Sequence, residues 1–185
     1  MTILKIDSSI TGENSVSRVL THSITDQLAA ADPAATVIER DLVAAPLAHL
    51  TERGQDADVL DEFLAADTVV IGAPMYNFGV PSQLKAWIDR IAVAGKTFQY
   101  TANGPEGLAG DKRVIVAVSR GGFYEAGNSF EHVEAYLRPM FNFLGIEPEF
   151  VRAEGIAVGP EQRDAGLANG LAEVERLIEA QRLAA

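Results

Sequence analysis

Three short stretches are dense in hydroxyl, aromatic or conformationally special residues, and each follows a run rich in β-branched apolar residues. The first, "SSITGENSVSR", sets Ser8, Ser9, Thr11, Gly12, Asn14, Ser15 and Ser17 directly before a helical pattern. Hydroxyls and unpartnered backbone N–H groups at a helix start make an anion site, because the first four amides lack intrahelical acceptors and carry the positive end of the helix dipole. Arg18 is the one cation close by in sequence. Such a set suits a phosphate monoester held by neutral donors. Taken alone, the plainer reading is the better one: Ser15 is an N-cap and the rest a solvated turn. Neither GxxxxGK[ST] nor GxGxxG occurs, which removes the usual nucleoside triphosphate and dinucleotide loops.

The second stretch is Pro74-Met75-Tyr76-Asn77-Phe78-Gly79-Val80-Pro81, with three large side chains where a loop should be polar. Met75, Tyr76 and Phe78 could cap the core, and Asn77-Phe78-Gly79 could be a plain turn. A segment stiffened by Pro74 and Pro81 could equally present amides and rings to a flat ligand, and Pro81 can open a helix without losing a needed donor. The third stretch is Ser119-Arg120-Gly121-Gly122-Phe123-Tyr124. Consecutive glycines at a strand end allow close backbone approach to a ligand, or simply a tight turn.

The elements that must position these stretches follow from hydrophobic spacing. Strand patterns cover Ile3 to Asp7, "ATVIERDL", Thr68 to Ala73, "KRVIVAVSR" and "EFVRAEGIAV". Helical patterns cover Ser15 to Ala31, "ADVLDEFLAAD", Gln83 to Val93, Ser129 to Leu144 and about Glu161 to Leu183. The first helix has its apolar face at Val16, Val19, Leu20, Ile24 and Leu28, and the third at Leu84, Trp87, Ile88 and Ile91. Val69, Val70 and Ile71 stand consecutively, as in a strand covered on both faces. Five alternations of strand and helix argue an α/β fold, a parallel sheet with helices on both faces. Ligands of such sheets bind outside the carboxyl ends of the strands, where all three stretches fall. Residues 42 to 56 and 95 to 111 read as long irregular stretches, which in compact domains are mostly functional.

At 185 residues, without repeat, linker or composition break, the chain reads as one domain spanning 1–185. With 0 cysteines there is no thiolate nucleophile or zinc–thiolate site, and His22, His49 and His132 lie too far apart in sequence to suggest a metal site, so no metal is expected. A net charge of -11 opposes nucleic-acid binding and would also oppose an anionic cofactor, which then needs aligned local donors. "MTILKIDSS" turns polar too soon for a secretory signal and no apolar run approaches a membrane span; a cytoplasmic protein without membrane contact is the expectation.

The stretches "SSITGENSVS", "APMYNFGVPSQLKAWIDR", "GKTFQYTANGPEGLAGDKRVIVAVSRGG" and "AEGIAVGPE" together resemble the FMN-dependent NADH:quinone oxidoreductase, or NADH-azoreductase, family, over nearly the whole chain. The resemblance implies a flavodoxin-like fold with a five-stranded parallel sheet in the order 2-1-3-4-5. It also implies a ping-pong reaction in which NADH reduces one non-covalent FMN per subunit and the flavin passes two electrons to a quinone or azo compound. Carried over by motif position, Ser9, Ser15, Val16 and Ser17 would hold the FMN phosphate. Met75, Tyr76, Asn77 and Phe78 would lie along the flavin ring, with backbone amides near its reactive edge. Ser119, Arg120, Gly121 and Gly122 would meet its pyrimidine end. No side chain is implied as a catalytic acid, base or nucleophile, since the cofactor carries the chemistry.

Members of that family are homodimers with the active site at the subunit interface. The resemblance therefore implies Phe98, Tyr100, Phe123 and Tyr124 as substrate-pocket aromatics, although Phe98 and Tyr100 could simply anchor their loop. The chain departs from the family pattern at residues 43 to 67, where a longer segment is usual, and at Asp7, which replaces a lysine before the serine pair. Two other readings stand beside the enzyme: a flavodoxin-type electron carrier with no small-molecule substrate, and a scaffold in which FMN is structural.

Overall fold

Continuous apolar runs can be satisfied only if both faces of a strand are covered, and four strands of this chain obtain that cover. The computed structural model describes residues 1–125 and 127–184. Its strands are β1 (Thr2–Asp7), β2 (Thr36–Asp41), β3 (Thr68–Pro74), β4 (Phe98–Thr101), β5 (Gly104–Gly107), β6 (Arg113–Ser119) and β7 (Glu149–Ala153). Its helices are α1 (Val16–Ala31), α2 (Ala57–Ala65), α3 (Ser82–Ile91), α4 (Val133–Phe143) and α5 (Pro160–Ala184). The main sheet runs β2-β1-β3-β6-β7, all parallel, which is the expected 2-1-3-4-5 when only its own strands are counted. Order reverses between β1 and β3, so the loops after these strands diverge and leave a crevice at their carboxyl ends.

Two apolar layers sandwich the sheet. On one face Val16, Leu20, Ile24 and Leu28 of α1 and Val174 and Ile178 of α5 pack on Ile3, Val70, Ile115 and Val151. On the other, Phe63 of α2, Leu84, Trp87 and Ile88 of α3 and Leu137 and Phe141 of α4 pack on Leu4, Ile71, Val116 and Phe150. The alternation of side chains along each strand assigns its residues to the two layers by parity. Val19, counted on the apolar face of the first helix, is instead 39% exposed, because it lies a full residue off the 3.6-fold stripe.

Three boundaries differ from the sequence reading. Residues 95 to 111 are not irregular: β4 and β5 form an antiparallel hairpin, whose Gly107 packs so closely on Gly145 that a Cβ there would lie 2.0 Å from the Gly145 amide. Gly-rich "NGPEGL" concealed that hairpin, since glycine and proline are poor strand formers by propensity. Helix α4 starts at Val133 rather than Ser129, with Glu131 accepting the amides of Val133, Glu134 and Ala135 in place of a longer helical run. Strand β7 stops at Ala153, because Gly155 adopts φ +73° and turns the chain.

Candidate functional site

The loop after β1 is built from mutually bonded hydroxyls. Ser8 is buried and donates to the Gly72 carbonyl at 2.6 Å, fixing the loop to β3. Ser9 Oγ lies 3.0 Å from Thr11 Oγ1 and 3.2 Å from the Tyr76 hydroxyl. Ser15 caps α1 by accepting the Arg18 amide at 3.2 Å, and its Oγ lies 3.1 Å from Ser17 Oγ. The amides of Val16 and Ser17 stand between that cap and the first intrahelical bond, at the positive end of the dipole. Three buried hydroxyls and a helix mouth therefore converge here.

Arg18 does not join them. Its guanidinium makes two hydrogen bonds to Asp41, at 2.7 and 2.9 Å, and a third to the Ser9 carbonyl at 3.0 Å. That bonding holds the Asp41 carboxyl down at about 2, the Arg18 hydrogen bond outweighing the opposing effect of burial. Asp7, its register partner on β1, is pushed up by burial, against the lowering effects of its Thr21 hydrogen bond and of Lys5 and Arg18. The side chain closest in sequence to the hydroxyl cluster is thus spent on the edge strand.

The loop after β3 is a two-residue hairpin turn. The Tyr76 amide donates to the Gly79 carbonyl at 3.0 Å and the Gly79 amide returns a bond to Tyr76 at 3.1 Å, with Asn77 at φ 48° and Phe78 at φ 72°. Two central residues with positive φ define a type I′ turn, normally filled by Asn-Gly; phenylalanine there is strained. Phe78 stacks on Phe130 at 5.1 Å, and its carbonyl accepts the His132 amide at 3.0 Å. The Met75 amide donates to the Ser119 carbonyl at 2.8 Å, so the loops after β3 and β6 are joined. Of the four backbone amides expected at the ring, those of Met75 and Tyr76 are therefore occupied within the fold, leaving Asn77 and Phe78.

These loops enclose a cavity of about 470 Å³ at the carboxyl edge of the sheet. Ser9, Ser15, Val16, Met75, Tyr76, Ser119, Arg120 and Gly121 line it, bringing together residues more than a hundred positions apart. Its far wall is the turn after β7, which is zipped to the loop after β6: Gly155, Ile156 and Ala157 donate their amides to the carbonyls of Gly122, Arg120 and Gly121 at 3.0 to 3.1 Å. The sequence model of the flavodoxin-like fold family matches residues 1–178. The chain belongs to this family. It is 56% identical to the FMN-dependent NADH:quinone oxidoreductase 2 of Bradyrhizobium diazoefficiens, over 92% of this chain and 96% of that one. It is 52% identical to the FMN-dependent NADH:quinone oxidoreductase of Rhizobium meliloti, over 91% and 92%. The crystal structure of an FMN-dependent NADH-azoreductase from Bacillus anthracis in complex with FMN superposes with a TM-score of 0.85 at 27% identity, covering 97% of this chain and 98% of that one.

Within this flavodoxin-like frame several expected site residues are not among those lining the cavity. Ser17 is buried behind Ser15, and Asn77, Phe78 and Gly122 stand outside the cavity lining. Arg120 lines the cavity. Its guanidinium, 4% exposed, is caged by Glu131, Glu134 and Glu154 at 3.1, 2.5 and 2.9 Å. Burial alone would raise the Glu134 carboxyl, but Arg152 and Arg120 together bring it below its ordinary value. Tyr124 belongs to that cage too, its amide donating to Glu154 and its ring 6.0 Å from the Arg120 guanidinium. Phe123 lies against Gly155, where a Cβ would meet its ring at 2.5 Å.

Phe98 and Tyr100 are not with the others in a single chain. Helix α3 runs back from the carboxyl edge, so the hairpin that follows it lies toward the edge where β6 begins. There Phe98 packs on Phe143 at 4.5 Å, and both aromatics line a separate cavity with Arg53, Asp56 and Arg90. Conversely, Thr11, Asn14, Ile156, Ala157 and Arg163 line the main cavity without having been assigned to it. The rule that placed loops after strands one, three and four at the site applies equally after the fifth strand, and would have found the last three.

Proposed function

We propose that this chain is an FMN-dependent NADH:quinone oxidoreductase that also cleaves azo compounds reductively. The observation that carries the reading is the meeting of three separate loops in one cavity at the strand-order reversal, in a chain whose relatives at 52 to 56% identity bear that enzyme name. The donor chemistry fits the cofactor. Ser9, Ser15 and Ser17 offer hydroxyls and the start of α1 offers amides, which suit a phosphate monoester in a protein of net charge -11. Gly121 keeps the wall thin, since a Cβ there would already lie 3.2 Å from the Ala157 Cβ. With 0 cysteines in the chain, the cofactor is held without a thioether link.

FMN, when bound, would supply the hydride-accepting and two-electron-donating chemistry between NADH and the acceptor. The residues of the chain bind and orient. Ser9 and Ser15 take the phosphate end with Ser17 behind them, Asn77 and Phe78, next to the lining residue Tyr76, offer their amides to an isoalloxazine that extends past the cavity, and Ser119 and Gly121 receive its pyrimidine edge. Tyr100, 76% exposed on its hairpin, can reach a substrate pocket only from a second subunit, which supports a homodimer with a shared active site. Purified protein loaded with FMN should turn over NADH and benzoquinone with parallel double-reciprocal plots, one product leaving before the second substrate enters. A preparation that takes up no FMN, or intersecting plots, would count against this reading.

A further inference from the structure

We propose that Arg163 supplies the positive charge for the phosphate end of the flavin nucleotide. The inference rests on the flavin reading above. An acidic protein of net charge -11 must compensate a dianionic phosphate locally, and the two arginines that sequence proximity offers cannot do so. Arg18 is neutralised by Asp41 and faces β2. Arg120 is neutralised by three glutamates on the far side of its loop.

Arg163 stands in the first turn of α5 and lines the same cavity as Ser9, Thr11, Asn14, Ser15 and Val16. Its Nη2 donates to the Asn14 carbonyl at 2.6 Å, across 149 residues of sequence. Asn14 immediately precedes the capping Ser15, so this one bond aims the guanidinium at the hydroxyl cluster before any ligand arrives. Among the described residues no carboxylate pairs with Arg163. A guanidinium carries five N–H donors in a planar fork matched to phosphate oxygens, and the carbonyl bond uses one of them. A charged group positioned by the fold, half-buried and without a counter-ion, in an otherwise neutral set of donors, is what an anionic ligand completes.

The test separates phosphate from ring. Wild-type protein, R163Q and R163K are titrated with FMN and with riboflavin, which has the ring and side chain but no phosphate, at low and high salt, by quenching of flavin fluorescence. Loss of a charge-assisted hydrogen bond should weaken FMN binding to R163Q by at least about tenfold at low salt. Riboflavin binding should change by less than about twofold, R163K should recover part of the loss because a point charge remains, and the salt dependence of FMN binding should be shallower in R163Q. Equal weakening of both flavins would mean that Arg163 only pins the Asn14 loop, and unchanged FMN binding would mean that it does nothing there; either result overturns the proposal while leaving the flavin reading intact. A wild-type protein that binds no FMN overturns the flavin reading itself, and this one with it.

Discussion

The Tyr76 hydroxyl lies 3.2 Å from Ser9 Oγ and accepts the Ile10 amide at 3.1 Å, tying the tip of the loop after β3 to the loop after β1. One phenol thereby spans the crevice at the strand-order reversal and sets its width. Y76F keeps the ring and removes both bonds. Each net bond contributes on the order of 1 kcal/mol, so the melting temperature should fall by a few degrees, and FMN affinity by several-fold as the crevice loses its fixed span. Differential scanning calorimetry and flavin titration check the two effects. An unchanged affinity would show that the ligand fixes the width without help from Tyr76.

Phe78 tests whether this loop serves the core or a ligand. F78G relieves a left-handed conformation costing about 1–2 kcal/mol, and loses the Phe130 stack, worth about 0.5–1.5 kcal/mol. The unfolding free energy should accordingly move by less than about 1 kcal/mol in denaturant titration, while kcat/KM for a quinone falls at least about tenfold, a loss consistent with misplacing the ring-facing amides. A loss of stability above about 3 kcal/mol with turnover preserved would make Phe78 a core residue.

The legible and hidden parts of this molecule separate by range of interaction. Strand runs such as Val69 to Ile71 and helix stripes such as Leu84, Trp87 and Ile88 are local patterns, and they folded where periodicity put them. The hydroxyl loop and the MYNF loop were visible because their composition is unusual for their position. Arg18 stands beside the serines in sequence, but Asp41, 23 residues away, sits one strand over and captures it. Arg163 shows the converse, since nothing local distinguishes it from other helix arginines until α5 is docked beside Asn14. The β4–β5 hairpin stayed hidden because backbone pairing with Gly104, Pro105 and Gly107 overrides poor strand propensity.

The Arg18–Asp41 pair also sets an acid limb. Asp41 titrates at about 2 in the folded protein, below its unfolded value, so its contribution is present above about pH 4 and is lost as the pH falls toward 2. D41N should lower the melting temperature at neutral pH and flatten the fall between about pH 4 and pH 2. Thermal melts of both proteins across that window check it. Parallel curves would assign the acid limb to other carboxylates.

Arg120 holds three carboxylates together, and its removal leaves them facing one another. R120M should cost about 3–5 kcal/mol at pH 7, the usual consequence of breaking a buried ion network. Glu134, now without one of its two stabilising arginines, should titrate higher, so the deficit shrinks as the pH is lowered toward about 4. Denaturant unfolding at several pH values distinguishes this from lost packing. A deficit independent of pH would contradict it.

Anaerobic stopped-flow mixing of the FMN-loaded protein with NADH, followed by benzoquinone, tests the enzymatic reading most directly. The visible flavin band should bleach rapidly with NADH alone and return on addition of the quinone, in two steps that do not require both substrates at once. A flavin that stays oxidised in the presence of NADH would contradict the oxidoreductase assignment and leave a flavin-binding carrier or scaffold in its place.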